Sequence, residues 1–159
     1  MDLTRVTHPE APWFHLVVGP SEDLSNAVRA VERTGKTAAR VVRGKHATTE
    51  VEFFQECAAA LQFPLYFGEN WDAFRDCMLD LAWLEAPGCA PIIADALHLL
   101  EKAKPEAFSH FMQIVTEAAQ HWNKRAKPKP FHVVLHAEPA EESAVKRRYQ
   151  VDGLDIAKR

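Results

Sequence analysis

Short apolar runs separated by helix-patterned segments constrain this chain more than any other feature. Residues 13–18 (WFHLVV) form an apolar, β-branched run closed by Gly19-Pro20. Ser21 then opens SEDLSNAVRAVERTG, with Glu22 and Asp23 in the first turn and Gly35 past the end. That order reads as a strand followed by a helix. Residues 38–42 (AARVV) read as a second strand, and Thr49 is placed to cap EVEFFQECAAALQF, where Val51, Phe54, Cys57, Ala58 and Leu61 recur at helical spacing. A helix starting near Asn70 follows. Residues 91–94 (PIIA) read as a short third strand, cut off by Asp95 and the helix-like ALHLLEK, and Pro105 fits the first turn of the long helix EAFSHFMQIVTEAAQHW. The loop NKRAKPKP then leads into residues 131–136 (FHVVLH), the fourth strand. Strands separated by helices predict an α/β layer in which a small, mostly parallel sheet of about four strands is packed by helices.

A chain of 159 residues is the size of one domain with one core. We expect that domain over residues 1–137. From Glu138 the sequence turns polar, five acidic residues offsetting five basic ones, and residues 138–159 read as a mobile appendage or one amphipathic turn. The formal charge of −3 leaves no overall basic field for nucleic-acid backbones. No run approaches the ~18 apolar residues of a membrane span, and residues 1–12 lack a signal peptide's apolar core. A cytoplasmic protein that binds neither membrane nor nucleic acid is the expectation. Cys57, Cys77 and Cys89 fit no disulfide or CxxC spacing and read as reduced, buried side chains.

The stretch FPLYFGENWDAFRDCMLDLAWLE, residues 63–85, is the most informative. Asn70 is placed to cap a helix, and a rotation of 100° per residue gathers Trp71, Phe74, Cys77, Met78 and Leu81 on a core-facing side. Asp72, Asp76 and Asp80 fall one turn apart on the opposite side, with Leu79 and Trp83 among them. Between Pro64 and Glu85 five carboxylates face the single Arg75, a net charge of −4, so the rest of the chain is net +1. The helix dipole favours Asp72 in the first turn by ~0.3 to 1 kcal/mol but not Asp76 or Asp80, and like charges four residues apart repel. The residues alone leave two readings: a solvated acidic face, or a site for a cationic partner.

Tyr66-Phe67-Gly68-Glu69-Asn70, followed by Trp71-Asp72-Ala73 and Asp76-Cys77, resembles the hallmark of the barstar family, the protein inhibitors of barnase-type ribonucleases. The resemblance runs from about Ala38 to Ala137, with a strand-helix extension over residues 1–37. It implies three family strands, to which residues 13–18 add a fourth. It also implies an inhibitory surface made of the loop and following helix, whose carboxylates take the place of RNA phosphates in the nuclease site. By position that surface comprises Tyr66, Gly68, Asn70, Asp72, Asp76 and, on the helix before the last strand, Glu117, with Leu79, Asp80 and Trp83 adjoining. Arg75 stands where the family's founding inhibitor has an exposed aromatic. Pairing with Asp72, or replacement of the lost apolar contact by Leu79 and Trp83, would accommodate it.

The resemblance therefore implies an inhibitor that occludes a basic ribonuclease, with no cofactor and no catalysis; the sequence does not fix the oligomeric state, and a monomer is slightly favoured. The alternative is a regulatory or scaffolding module that binds another protein with the same face or with residues 1–37. His132 and His136, four apart on a strand, are separated by about 13 Å and cannot share a metal. His121 lies one helical turn after Glu117. Asp72 and Asp76 lack the pocket an acid–base pair needs, and no P-loop, GxGxxG, GxSxG or HExxH is present. The basic loop Lys124, Arg125, Lys127, Lys129 reads as a charged connection.

Overall fold

The apolar runs become parallel strands because helices cover them on both sides. The structure, a computed structural model, describes residues 3–150 and 155–158. Its elements are β1 (Phe14–Val18), α1 (Ser21–Arg33), β2 (Thr37–Arg43), α2 (Glu50–Leu61), α3 (Trp71–Asp80), β3 (Gly88–Ala94), α4 (Pro105–Asn123), β4 (Val133–Ala137), α5 (Glu142–Tyr149) and β5 (Asp155–Lys158). Among the described residues the sheet has five strands in the order β2-β3-β4-β1-β5, and every pairing is parallel.

Side chains alternate between two cores. Phe14, Leu16, Val18, Ile93, Val133 and Leu135 face α2, α3, α4 and α5. Val17, Ala39, Ile92 and Val134 face α1, which brings Leu24, Ala27 and Val31, and the N-terminal turn, which brings Leu3 and Val6. A strand buried on both faces needs no polar alternation, and this explains the continuous apolar runs. Between these side chains lie His15 of β1, His136 of β4 and His132 immediately before β4, all buried. His132 Nε2 donates to the His8 carbonyl, so its Nδ1 is left to accept from His15 Nε2 at 2.8 Å. His136 Nδ1 accepts from the Asp95 amide and its Nε2 donates to the Gly19 carbonyl. The eight histidines of the sequence thus include three that hydrogen-bond the interior.

Two expectations change. The third strand starts at Gly88, three residues before the PIIA run, because β3 pairs with β2 from Thr37↔Gly88 onward. A Cβ at Gly88 would approach the Pro130 carbonyl oxygen to 2.8 Å, so the strand can enter there only as glycine. The polar C-terminal segment is neither an appendage nor a single turn. It forms α5, with Val145 and Tyr149 buried at i,i+4, and then β5, which pairs with β1. Tyr149 Oη donates to the Ala96 carbonyl at 2.9 Å and its ring meets Phe108 edge-on, while Arg148 Nη2 donates to the Leu99 carbonyl. Two well-placed apolar residues outweigh a polar composition. No described helix is long and apolar enough to cross a membrane.

Candidate protein-binding face

The segment that resembles the barstar hallmark is held by its aromatic residues. Helix α2 ends at Leu61, the φ of 54° at Gln62 turns the chain out of the helix, and the Phe67 amide closes a turn onto the Pro64 carbonyl. Phe67 packs against Phe63 and Phe54, and Trp71 stacks on Phe53 with Nε1 donating to Glu50 Oε1 at 2.6 Å. These anchors leave their neighbours outside. Leu65 is fully exposed and Tyr66 is 77% exposed, although both are large and apolar-bodied. Neither has a core role. Leu65 escaped sequence reasoning, which keyed on charge; the signal available was a large apolar residue beside a proline in a loop.

Asn70 caps α3 as expected. Its Oδ1 accepts from the Ala73 amide at 2.9 Å and its Nδ2 donates to the Gly68 carbonyl at 3.1 Å. A Cβ at Gly68 would come within 3.1 Å of that same Nδ2, so glycine there protects the cap. Along α3, Phe74, Cys77 and Met78 are buried, while Asp72, Arg75, Asp76 and Asp80 are exposed. Burial pushes the Cys77 thiol up in pKa, so it stays a neutral side chain.

Leu79 and Trp83 are less exposed than helical rotation predicts, although Trp83 still borders Asp76 and Asp80. The helix stops at Asp80, and Leu81 takes a left-handed conformation with φ of 47°. The chain therefore turns, burying Leu81 and bringing Trp83 against Phe63, where its Nε1 donates to the Leu61 carbonyl at 2.9 Å. Both Leu79 and Trp83 are half-buried and packed on the core. The turn also opens a groove of about 290 Å³ between the loop and α3, lined by Tyr66, Phe67, Ala73, Asp76, Cys77, Asp80 and Trp83. Aromatic walls and two carboxylates share this concavity. Such walls suit the stem and the head of a cationic side chain.

Arg75 does not pair with Asp72. It reaches across to α4, where Nε donates to Glu117 Oε2 at 2.8 Å and Nη2 donates to Glu117 Oε1. The guanidinium, hydrogen-bonding both oxygens, holds the Glu117 carboxyl below the usual carboxylate range, and His121 one turn on adds a smaller pull in the same direction. Glu117 in turn raises the Arg75 pKa. So the structure brings Tyr66, Gly68, Asn70, Asp72, Asp76 and Asp80 to one open face, sets Glu117 on the neighbouring helix, and satisfies Glu117 from within the chain. Among the described residues no three His, Cys, Asp or Glu side chains are grouped to hold a metal ion.

Comparison with known proteins follows the same division. No curated protein matches the sequence. Among solved structures, the backbone is similar to one titled "Structure of the Aeropyrum Pernix ORC2 protein (ADPNP-ADP complexes)", at 11% identity and a TM-score of 0.63. The match covers 98% of this chain, which spans 44% of that longer one. At that identity the likeness concerns the fold alone. The sequence model for Barstar (barnase inhibitor) matches residues 37–136, from the first residue of β2 to near the end of β4. Its three strands are adjacent in the sheet, and β1 and β5 extend it beyond β4. With well over half of its length matched, the chain belongs to the barstar family.

Proposed function

We propose that the chain is a stoichiometric protein inhibitor of a cationic ribonuclease and acts in the cytoplasm without catalysis or cofactor. The observation that carries this reading is the open groove between Tyr66 and α3, where Asp76 and Asp80 stand beside aromatic walls in a protein of the barstar family. A ribonuclease cleft must neutralise phosphates, so its cations meet carboxylates well. Asp72, Asp76, Asp80 and Glu69 supply such charges on a fixed scaffold, and a preformed face loses little side-chain freedom on binding. Long-range attraction between a net −4 segment and a basic cleft speeds encounter, while carboxylates desolvated at the centre slow departure. Exposed Leu65 and Tyr66 add the apolar contact that an all-charged interface lacks.

The test is a titration of a barnase-type ribonuclease with the chain, reading RNA cleavage. One equivalent should abolish activity, and Asp76→Ala should weaken binding about 30-fold or more, corresponding to ~2 kcal/mol. Full nuclease activity at a large excess of the chain removes the reading. A second reading, a regulatory module for another protein, draws on the elements outside the family match. β1, α1, α5 and β5 add surface that the inhibitory face does not use. Capture of a non-nuclease partner that survives Asp76→Ala but is lost when surface residues of α1 are changed favours it.

A further inference from the structure

The Arg75–Glu117 pair lies on the candidate face itself, and this inference rests on the inhibitor reading above. A second arginine–glutamate pair in the molecule shows what is distinctive about it. Arg43 also grips Glu56 with two guanidinium bonds, Nε at 2.6 Å and Nη2 at 2.9 Å, but Glu56 additionally accepts the Arg43 main-chain amide at 3.1 Å. Its carboxylate side chain is only 11% exposed. That pair fastens β2 to α2. In the α3–α4 pair both partners remain substantially open, at 46% for Arg75 and 38% for Glu117.

The chemistry of the fork decides what such a pair presents. A guanidinium has five N–H groups. Glu117 takes the one on Nε and one on Nη2, which leaves those of Nη1 and the second of Nη2 for another acceptor. Glu117 is different: both of its oxygens already receive charge-assisted bonds, and the adjacent positive charge offsets much of its field, leaving a dipole whose open edge is the guanidinium. A cation approaching this end of the face therefore meets an arginine rather than a free carboxylate. An acceptor finds open donors.

We infer that Arg75 is the specificity-determining residue of the face: locked onto Glu117, it reserves the α3–α4 end for a hydrogen-bond acceptor on the partner and rejects ribonucleases that place a cation there. The target then has a mosaic surface. Its cations meet Asp72, Asp76 and Asp80, and a carboxylate or main-chain carbonyl meets Arg75. Discrimination of this kind works through a repulsive element built into the wrong complex.

Binding of a barnase-type ribonuclease, with its cationic cleft, tests this through four variants measured by calorimetry at fixed salt. Arg75→Gln frees the Glu117 charge and should tighten binding by about fivefold, the upper range for one partly exposed ion pair. Glu117→Gln strands the arginine and should weaken binding by a similar factor. The double variant should return close to the parent. Arg43→Gln removes the same unit charge away from the groove and should have less effect than Arg75→Gln, since screening limits its reach. If the parent binds and Arg75→Gln is no tighter than Arg43→Gln, the specificity role is wrong while the inhibitor reading stands. If none of the proteins binds even at low salt, both fall together.

Discussion

Two charge-rich segments of this chain have opposite fates. Residues 64–85 are acidic, yet they leave Leu65 and Tyr66 in solvent above a carboxylate-lined groove. Residues 138–150 and 155–158 carry charges of both signs, yet they bury Val145 and Tyr149 and add the edge strand β5. The difference lies in where the apolar side chains sit. In the C-terminal segment two of them are one helical turn apart and buried, Tyr149 closing on Phe108 and the Ala96 carbonyl. In the acidic segment Phe67 and Trp71 occupy the inner positions, and the geometry of the turn forces their neighbours outward. Charge density does not separate a binding face from a structural element; unbalanced charge together with stranded apolar surface does.

The largest expected effects test that contrast directly. Tyr149→Ala should cost ~3 to 5 kcal/mol of stability by urea denaturation, because it deletes a buried ring and its hydrogen bond. Phe74→Ala, inside α3, should cost as much. Tyr66→Ala should stay within ~0.5 kcal/mol of the parent, since its ring touches solvent. A large loss at Tyr66 beside a negligible one at Tyr149 reverses the assignment of the two segments.

Next in size is the split between stability and binding along α3. Asp72→Ala and Asp76→Ala should leave the urea midpoint nearly unchanged, as both side chains are exposed. They should also raise the dissociation rate of a bound ribonuclease, with Asp76, inside the groove, the larger. Equal dissociation rates for Asp76→Ala and the parent detach the groove from binding.

The sequence displayed much of this in advance, for identifiable reasons. Strands β1, β2 and β4 were visible as apolar runs, and the caps at Thr49 and Asn70 followed from local chemistry, to which the structure adds the capping box of Thr49 and Glu52. What failed was long-range or depended on where a helix ends. Arg75 had a near partner in Asp72 by helical spacing, but α4 offers it a bidentate carboxylate that no local rule anticipates. Trp83 was placed by continuing a helix that stops at Asp80. Helix α5 was hidden because three consecutive basic residues masked its two anchors. The buried histidines show the same limit. The sequence pattern places His132 on a strand run, but only the sheet order sets His15 of β1 beside it.

That histidine pair sets up a smaller effect, on pH dependence, in the strand β1 that the C-terminal segment pairs with. Desolvation is the main cause holding the His132 pKa below the usual imidazole value, partly opposed by the His8 and Pro12 carbonyls and by Glu10. A buried neutral histidine of this kind contributes stability that is present above the unfolded-state pKa of about 6.5 and is lost as pH falls below it, because the unfolded chain takes the proton first. Protonation also leaves His15 and His132 with two donors facing each other. Urea midpoints should therefore fall between pH 7.5 and 5.5, and His132→Gln should flatten that slope. Equal slopes for the two proteins place the acid sensitivity elsewhere.

The smallest expected effect separates the field of the acidic segment from its contacts. Glu85 belongs to the same net −4 stretch as Asp76, but it lies beyond the end of α3 and outside the groove, beside Glu32 and Arg40. A carboxylate so placed acts on a ribonuclease only through long-range attraction, which decays over a Debye length of about 8 Å at 0.15 M salt. Glu85→Ala should consequently lower the association rate at low salt by a small factor, lose that effect as salt rises, and leave dissociation alone. Asp76→Ala should show its main effect on dissociation at every salt concentration, since a desolvated contact is poorly screened. Stopped-flow binding of both variants at two ionic strengths distinguishes the terms. A salt-independent association rate for the parent removes steering from the mechanism, and a dissociation effect at Glu85 as large as that at Asp76 means that the interface extends past the groove toward the turn at Leu81.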